Sequence, residues 1–410
     1  MATFFLLIIY LAFISLGLPD SLLGVSWPMM QSEFGAPLET AGLLFMTIAG
    51  GTIISSFASG AVLKRFGTGI VTFFSCFMTA GALLGFHFAP SLFWLFICAI
   101  PLGLGAGAVD SGLNNYVASH YKAHHMSWLH CFWGVGATLG PVIMAQFISG
   151  QHSWRSGYLA IAGLQFVLVV ILFFTLPLWN KVGGNSTVTS TNEKEHTDEV
   201  YRGTDAKNKK PLQIRGVKLA LISFLFYCGA ESTMGLWGSS FLINVKELSV
   251  DTAANWVSIY YGGITFGRFI TGFITLKISN RTLIRAGQII ALAGAVFLFL
   301  PLPSTFSLVG FMMVGVGLAP IFPCMLHETP TRFGKEQSQT IMGYQMAVAY
   351  TGSTFLPPLL GYLAAHITIG IFPFVIAGFI AIMLLGSEKL NAIMNRTELI
   401  SVKNNNSTVI

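Results

Sequence analysis

The stretch NKVGGNSTVTSTNEKEHTDEVYRGTDAKNKKPLQIR, residues 180–215, is polar from end to end and has no apolar periodicity. It reads as a solvated linker, because so little apolar surface cannot offset the entropy of ordering the chain. Its flanks are the opposite. Before it lie six apolar runs, about 4–30, 40–62, 68–88, 91–116, 127–149 and 155–178. After it lie six more, about 216–244, 253–276, 282–301, 304–327, 338–365 and 369–387. These match the roughly 20 apolar residues that cross a bilayer as a helix. The expected fold is an all-α membrane protein with twelve transmembrane helices in two six-helix halves. The halves are residues 1–179 and 216–390, joined by the linker at 180–215 and followed by a tail at 391–410.

Composition supports the same class and excludes others. Only 9% of the 410 residues are charged and 54% are hydrophobic, against roughly 25% charged in an average soluble domain. The mean hydropathy is +0.71. A soluble enzyme of this length could not cover its surface, and disorder requires the reverse composition. Long continuous apolar runs also argue against a transmembrane barrel, whose strands alternate. Glycine, 44 residues, suits membrane helices that pack by close backbone approach. Cys76, Cys98, Cys131, Cys228 and Cys324 each lie in apolar runs with no CxxC pair, so they read as small buried residues. Residues 4–30 read as a retained first span, since no basic region precedes them.

The charge pattern gives an orientation. All but three of the 22 Lys and Arg residues fall on one side of the predicted spans; Arg155 and Lys246 fall on the other, and Arg268 lies within a span. Basic residues mark the cytoplasmic side. Both termini and the linker are therefore expected in the cytoplasm, in a plasma (inner) membrane. The pI of 9.0 is then a topology signal, and no nucleic-acid partner is implied. The sequons at Asn185, Asn280, Asn395 and Asn406 fall on that same side, so no glycosylation is expected.

The halves resemble each other. Gly60 to Arg65 closes span 2 and Gly272 to Lys277 closes span 8. Span 5 carries Gly136-Ala137-Thr138-Leu139-Gly140-Pro141, and span 11 carries Gly352-Ser353-Thr354-Phe355-Leu356-Pro357 with the same Gly-to-Pro spacing. Repeated halves around a midplane site are a transporter plan.

Ionisable residues inside spans are functional candidates, because an ionised carboxylate at mid-membrane costs roughly 2.5–3.5 kcal/mol even on lenient scales. Three acids lie deep: Asp20, Asp110 and Glu231. Asp20 follows Pro19 and shares a helix face with Gly17, Gly24 and Trp27; the proline favours a bend there. Asp110 and Asn114 lie four apart in span 4, a carboxylate and an amide suited to hydroxyl recognition. Glu231 has Tyr227 four residues before it, and Trp237 lies nearly two turns further out. Tryptophan can stack on the C–H face of a pyranose, or it can sit in an aromatic belt. His130, with Trp133 three residues on, is either a proton relay or a packing residue. Arg268 must find a partner, either a carboxylate within a gate or an anionic substrate.

Twelve spans split six and six, a long central loop, and the Gly/basic turns after spans 2 and 8 together resemble the major facilitator superfamily over nearly the whole chain. The family signature Gly-x-x-x-Asp-Arg-x-Gly is met by Gly60, Arg65 and Gly67, with Lys64 in the acidic position. Further motifs occur in order: GAVDSGLNN (107–115), LHCFWGVGATLGP (129–141), YCGAESTMGLWGSSFL (227–242), IFP (321–323) and GYQMAVAYTGSTFLPPLLG (343–361). This set is similar to the branch containing the fucose:proton symporter, bacterial glucose/mannose permeases and the animal sodium-dependent glucose transporter.

The resemblance implies ion-coupled uptake of a monosaccharide by a monomeric chain in a lipid bilayer, with a proton as coupling ion and sodium as the alternative. It implies proton coupling at Asp20 and Asp110, with His130 as a further candidate. Asn114, Glu231, Trp237, Gln345, Tyr227 and Trp133 are the expected substrate-binding residues, and Lys64, Arg65 and Arg268 the expected gating residues. No enzyme constellation, metal site or organic cofactor is signalled; GLGAGA (103–108) lacks the Gly-Lys-Ser/Thr ending of a nucleotide loop. A drug or metabolite:proton antiporter stays open, because Gly136 to Pro141 also resembles the core of the antiporter motif. A sensor that no longer transports is the other alternative, suggested by Lys64.

Overall fold

The computed structural model describes residues 2–120, 123–149, 153–183, 211–275 and 277–407. Most of the expected linker lies outside the described residues. The fold is all-α. The N-terminal half comprises α1 (Ala2–Asp20), α2 (Leu22–Phe34), α3 (Thr40–Phe66), α4 (Thr68–His87), α5 (Leu92–His120), α6 (Ala123–Ser149) and α7 (Trp154–Gly183). The C-terminal half comprises α8 (Val217–Asn244), α9 (Val250–Ile274), α10 (Asn280–Phe299), α11 (Thr305–Leu318), α12 (Ile321–His327), α13 (Thr329–Phe333), α14 (Lys335–His366) and α15 (Phe372–Ser407). Because α1 with α2 and α11 with α12 each form one broken rod, these helices make twelve long units, with the short α13 between spans. The helix α15 runs on through the segment expected as a tail.

Ten of the twelve units are long and apolar enough to cross a membrane. The other two, α9 and α14, have the length but carry more polar residues. Both pack across onto the N-terminal half, α9 on α6 and α14 on α3. A helix facing protein and a polar cavity need not be apolar all round, so the weaker signal follows from position.

The break between α1 and α2 has a local cause. Pro19 has no N–H, so the Ser15 carbonyl four residues earlier loses its helical donor. The Gln165 amide fills that vacancy at 2.7 Å from α7, and Gln165 accepts in turn from Thr79 of α4 at 2.8 Å. The freed carbonyl is thus satisfied inside the membrane, as it must be where water is absent. The turn from α3 to α4 uses Gly67 at φ +79°, a conformation that a side chain disfavours.

The apolar cores show how the halves meet. One core draws residues from both halves, including Trp27 and Leu44 with Phe241 and Val257. A second, around Phe5, Phe13, Val117 and Leu172, belongs to the N-terminal half. A third, around Val217, Phe333 and Leu390, belongs to the C-terminal half. The second and third lie at the helix ends next to the linker, while the shared core extends to the opposite ends. The N-terminal half contributes to the shared core only on the side away from the linker, so the halves are joined there and part toward the linker. We call the space where the halves part, on the linker side, the cavity.

Candidate functional site

Helix α1 reaches the cavity by pressing on α6. A Cβ on Gly17 would stand 2.1 Å from the Trp133 carbonyl oxygen, so only glycine permits this approach. One turn on, Asp20 ends α1 at the break. It is exposed between buried neighbours Pro19 and Ser21, so its exposure is to the space between the halves. Its Oδ2 accepts a hydrogen bond from the Trp133 indole N–H at 2.8 Å.

The C-terminal half supplies the other side. The Arg268 guanidinium on α9 donates to Glu231 Oε1 at 2.9 Å and to the Tyr227 hydroxyl at 3.2 Å, both on α8. Arg268 and Glu231 retain side-chain exposures of 15% and 16%, so the pair is largely desolvated but still reaches the cavity. The Tyr260 hydroxyl fixes α9 against α8 by donating to the Glu231 carbonyl oxygen at 3.1 Å. Arg268 also lies over the Trp133 ring, 5.5 Å from its centroid. A continuous chain thus runs Asp20, Trp133, Arg268, Glu231 from one half to the other. Of the two readings of Arg268, the structure favours pairing with a carboxylate.

A second polar group lies nearby. Asn114 Nδ2 donates to Asp110 Oδ1 at 2.8 Å, as the four-residue spacing predicted. The side-chain amide oxygen of Asn114, Oδ1, is buried without a partner among the described residues. From α14 the Tyr350 hydroxyl is turned toward both Asp110 and Ser56, another contact between the halves. Asp110 is also within electrostatic reach of Asp20. Neither Tyr350 nor Tyr261, which packs against Trp133 with centroids 6.5 Å apart, was singled out from sequence. A lone tyrosine in a span looks like packing, and contacts across the halves leave no local spacing to read.

Two expected substrate residues are corrected. Trp237 is 0% exposed, donates its indole N–H to the Pro357 carbonyl oxygen at 2.7 Å, and packs on Gly361. It joins α8 to α14 and does not face the cavity. Six residues beyond Glu231 carry the helix about 240° round, away from the cavity-facing side. Gln345 is 1% exposed and accepts from the Thr329 hydroxyl at 3.0 Å, which ties α14 to α13. Tyr350, five residues on, occupies the cavity-facing side instead.

The remaining expected residues stand apart from the chain. His130 is half-buried with its ring edge against Phe13, centroids 6.0 Å apart, and no described contact joins it to Asp20 or Asp110. Lys64 and Arg65 are exposed in the last turn of α3. Arg65 lies over its neighbour Phe66, and neither residue has a carboxylate partner among the described residues. No group of metal-ligating side chains occurs among the described residues.

Known proteins carry matching features. The Major Facilitator Superfamily profile matches residues 9–347 and, again, 219–390. The yeast Bypass of stop codon protein 6 is 23% identical over 383 residues, covering 88% of this chain and 77% of its own. The glucose/mannose transporter GlcP of Bacillus subtilis is 27% identical over 249 residues, 60% of this chain and 59% of its own. The solved structure of the E. coli fucose:proton symporter FucP, in a mutant form, superposes with a TM-score of 0.60 at 16% identity, covering 94% of this chain and 98% of that one. The repeated halves, the cavity between them and the length of the profile match make this chain an integral membrane transporter of the Major Facilitator Superfamily.

Proposed function

We propose that the protein is a secondary active transporter that carries a hexose or related neutral sugar together with a proton by alternating access. The observation that carries this reading is the chain Asp20–Trp133–Arg268–Glu231, which crosses the cavity between the halves. Asp20 is an exposed carboxyl in a span, and such a group is a natural proton acceptor facing water in a cavity. Asp110, Asn114 and Tyr350 supply hydroxyl partners beside it. The sugar substrates in the names of GlcP and FucP support the substrate class, and the proton in FucP's name supports the coupling ion. In this reading the described structure is open to the cytoplasm, in the plasma membrane, with the linker on the cytoplasmic side. Asn114 and Glu231 bind sugar, while Asp20 and Asp110 exchange the proton. Sodium is the competing coupling ion.

The test is transport in proteoliposomes. D-Glucose uptake driven by an inward proton gradient should concentrate the sugar in wild-type vesicles and collapse on addition of a protonophore. Asp20→Asn should abolish accumulation while leaving glucose counterflow within a few-fold of wild type. Accumulation by Asp20→Asn, or accumulation that follows a sodium gradient alone, overturns the coupling assignment.

A further inference from the structure

The two halves of the cavity cluster are connected through one neutral side chain. Trp133 gives its indole N–H to Asp20 at 2.8 Å and presents its ring to Arg268 at 5.5 Å. Asp20 and Trp133 belong to the N-terminal half, whereas Arg268, Glu231 and Tyr227 belong to the C-terminal half. The guanidinium is anchored at 2.9 Å on Glu231 and at 3.2 Å on Tyr227, so it cannot follow the ring if the halves separate.

A cation–π contact is electrostatic, drawn by the electron density of the ring. Hydrogen bonds in a low-dielectric site polarise one another. An indole whose N–H is held by an anion is therefore a better partner for a cation than one facing a neutral acid. Adding a proton to Asp20 therefore weakens the contact of the Trp133 ring with Arg268, which lies across the boundary between the halves.

Resting on the proton-coupled reading above, we infer that Trp133 is a positioning residue that transmits the charge state of Asp20 to the Arg268–Glu231 pair. It holds the halves together at this point while Asp20 is ionised and releases them when Asp20 is protonated. Several other groups face this point. Asp110 on α5 and Tyr261 on α9 are within electrostatic reach of Asp20. His130 and Cys131 on α6 are within reach of Arg268. On α8, Tyr227, Cys228 and Glu231 surround the guanidinium, Tyr260 sits beside them on α9, and Tyr350 on α14 faces Asp110. Among the described residues, Trp133 is the side chain that contacts both Asp20 and Arg268.

Trp133→Phe isolates the claim, because it keeps a ring for Arg268 and for any stacked sugar and removes only the N–H. Spin labels at Phe66 and Tyr344, exposed positions near the linker-side ends of α3 and α14, report the separation of the halves without substrate. In the otherwise unaltered protein the distance distribution should change as pH falls from 8 to 5. In Trp133→Phe and in Asp20→Asn it should not. In vesicles Trp133→Phe should accumulate D-glucose at least tenfold less than wild type. A wild-type pH response of the distances in Trp133→Phe overturns the inference, as does the absence of any response in the parent. A raised KM for counterflow with unchanged coupling would also overturn it, by making Trp133 a substrate platform. If wild type transports no sugar, the functional reading fails, and the label distances still decide the role of Trp133.

Discussion

Gly136 on α6 and Gly352 on α14 make the same contact in the two halves. A Cβ on Gly136 would stand 2.1 Å from the Ile14 carbonyl oxygen of α1, and one on Gly352 would stand 2.2 Å from the Leu225 carbonyl oxygen of α8. These residues begin the Gly-to-Pro motif repeated in spans 5 and 11. The sequence repeat is thus a packing repeat: in each half it seats one cavity helix against another, backbone to backbone. In membranes such close approach does much of the work that hydrophobic exclusion does in water.

Alanine at either glycine should therefore destabilise the protein by about 1–3 kcal/mol, the usual range for overpacking. Thermal unfolding in detergent should show lower midpoints for Gly136→Ala and Gly352→Ala. Gly272→Ala is the control, because no atom lies within 4 Å of its Cβ position. Equal midpoints for all three variants would contradict the packing account.

Trp237→Phe should separate packing from recognition. It removes the indole bond to the Pro357 carbonyl oxygen, a net loss of about 0.5–1.5 kcal/mol for one hydrogen bond. Because the side chain is fully buried, the KM for D-glucose counterflow should stay within twofold of wild type. A stable variant with a tenfold higher KM would return Trp237 to the binding site.

What could be read from the sequence followed the periodicities. Apolar runs, the basic asymmetry and the six-plus-six division carry the fold, since spanning helices must satisfy their own backbones. Within single helices, spacing was informative: Asp110 with Asn114 and Tyr227 with Glu231 are four apart and share their faces. Spacing failed with Trp237, because six residues beyond Glu231 turn the helix about 240° and carry the side chain off the cavity-facing side. It was silent where partners come from different halves. Nothing near Trp133 in the chain announces Arg268, and nothing near Asp110 announces Tyr350.

Glu328 tests a different part of the fold. It accepts from Arg332 at 3.1 Å and Arg281 at 3.5 Å, and these arginines also donate to Asn391 and Asn395 of α15. Burial pushes the Arg332 guanidinium below its usual value, and Glu328 offsets part of that. Glu328→Gln would leave a charge with 6% side-chain exposure without its counter-ion. Breaking buried pairs costs about 3–5 kcal/mol; the exposure of Arg281 reduces the expectation here to about 2 kcal/mol. Arg285→Gln breaks the exposed pair with Glu388 and should leave the unfolding midpoint unchanged. The reverse ranking of the two variants would contradict the role given to Glu328.

The charge of the cavity sets the last expectation, which concerns the substrate. Among the described residues the site holds three carboxyls, Asp20, Asp110 and Glu231, and one arginine, Arg268, which Glu231 and Tyr227 already hold. The Asn114 side-chain Oδ1 adds an acceptor without a partner among the described residues. Unused capacity in the site is therefore mostly acceptor, which suits hydroxyl donors and repels carboxylates. A like charge beside Asp20 in a partly desolvated cavity would be repelled by on the order of 1–4 kcal/mol at about 4 Å. D-Glucuronate should compete for D-glucose uptake at least tenfold more weakly than D-galactose or D-mannose at pH 7. Asp20→Asn and Asp110→Asn should narrow that gap, measured by counterflow. Equal competition by glucuronate and neutral hexoses would mean that Arg268 leaves Glu231 to bind the substrate, and the ion pair would then be a resting arrangement.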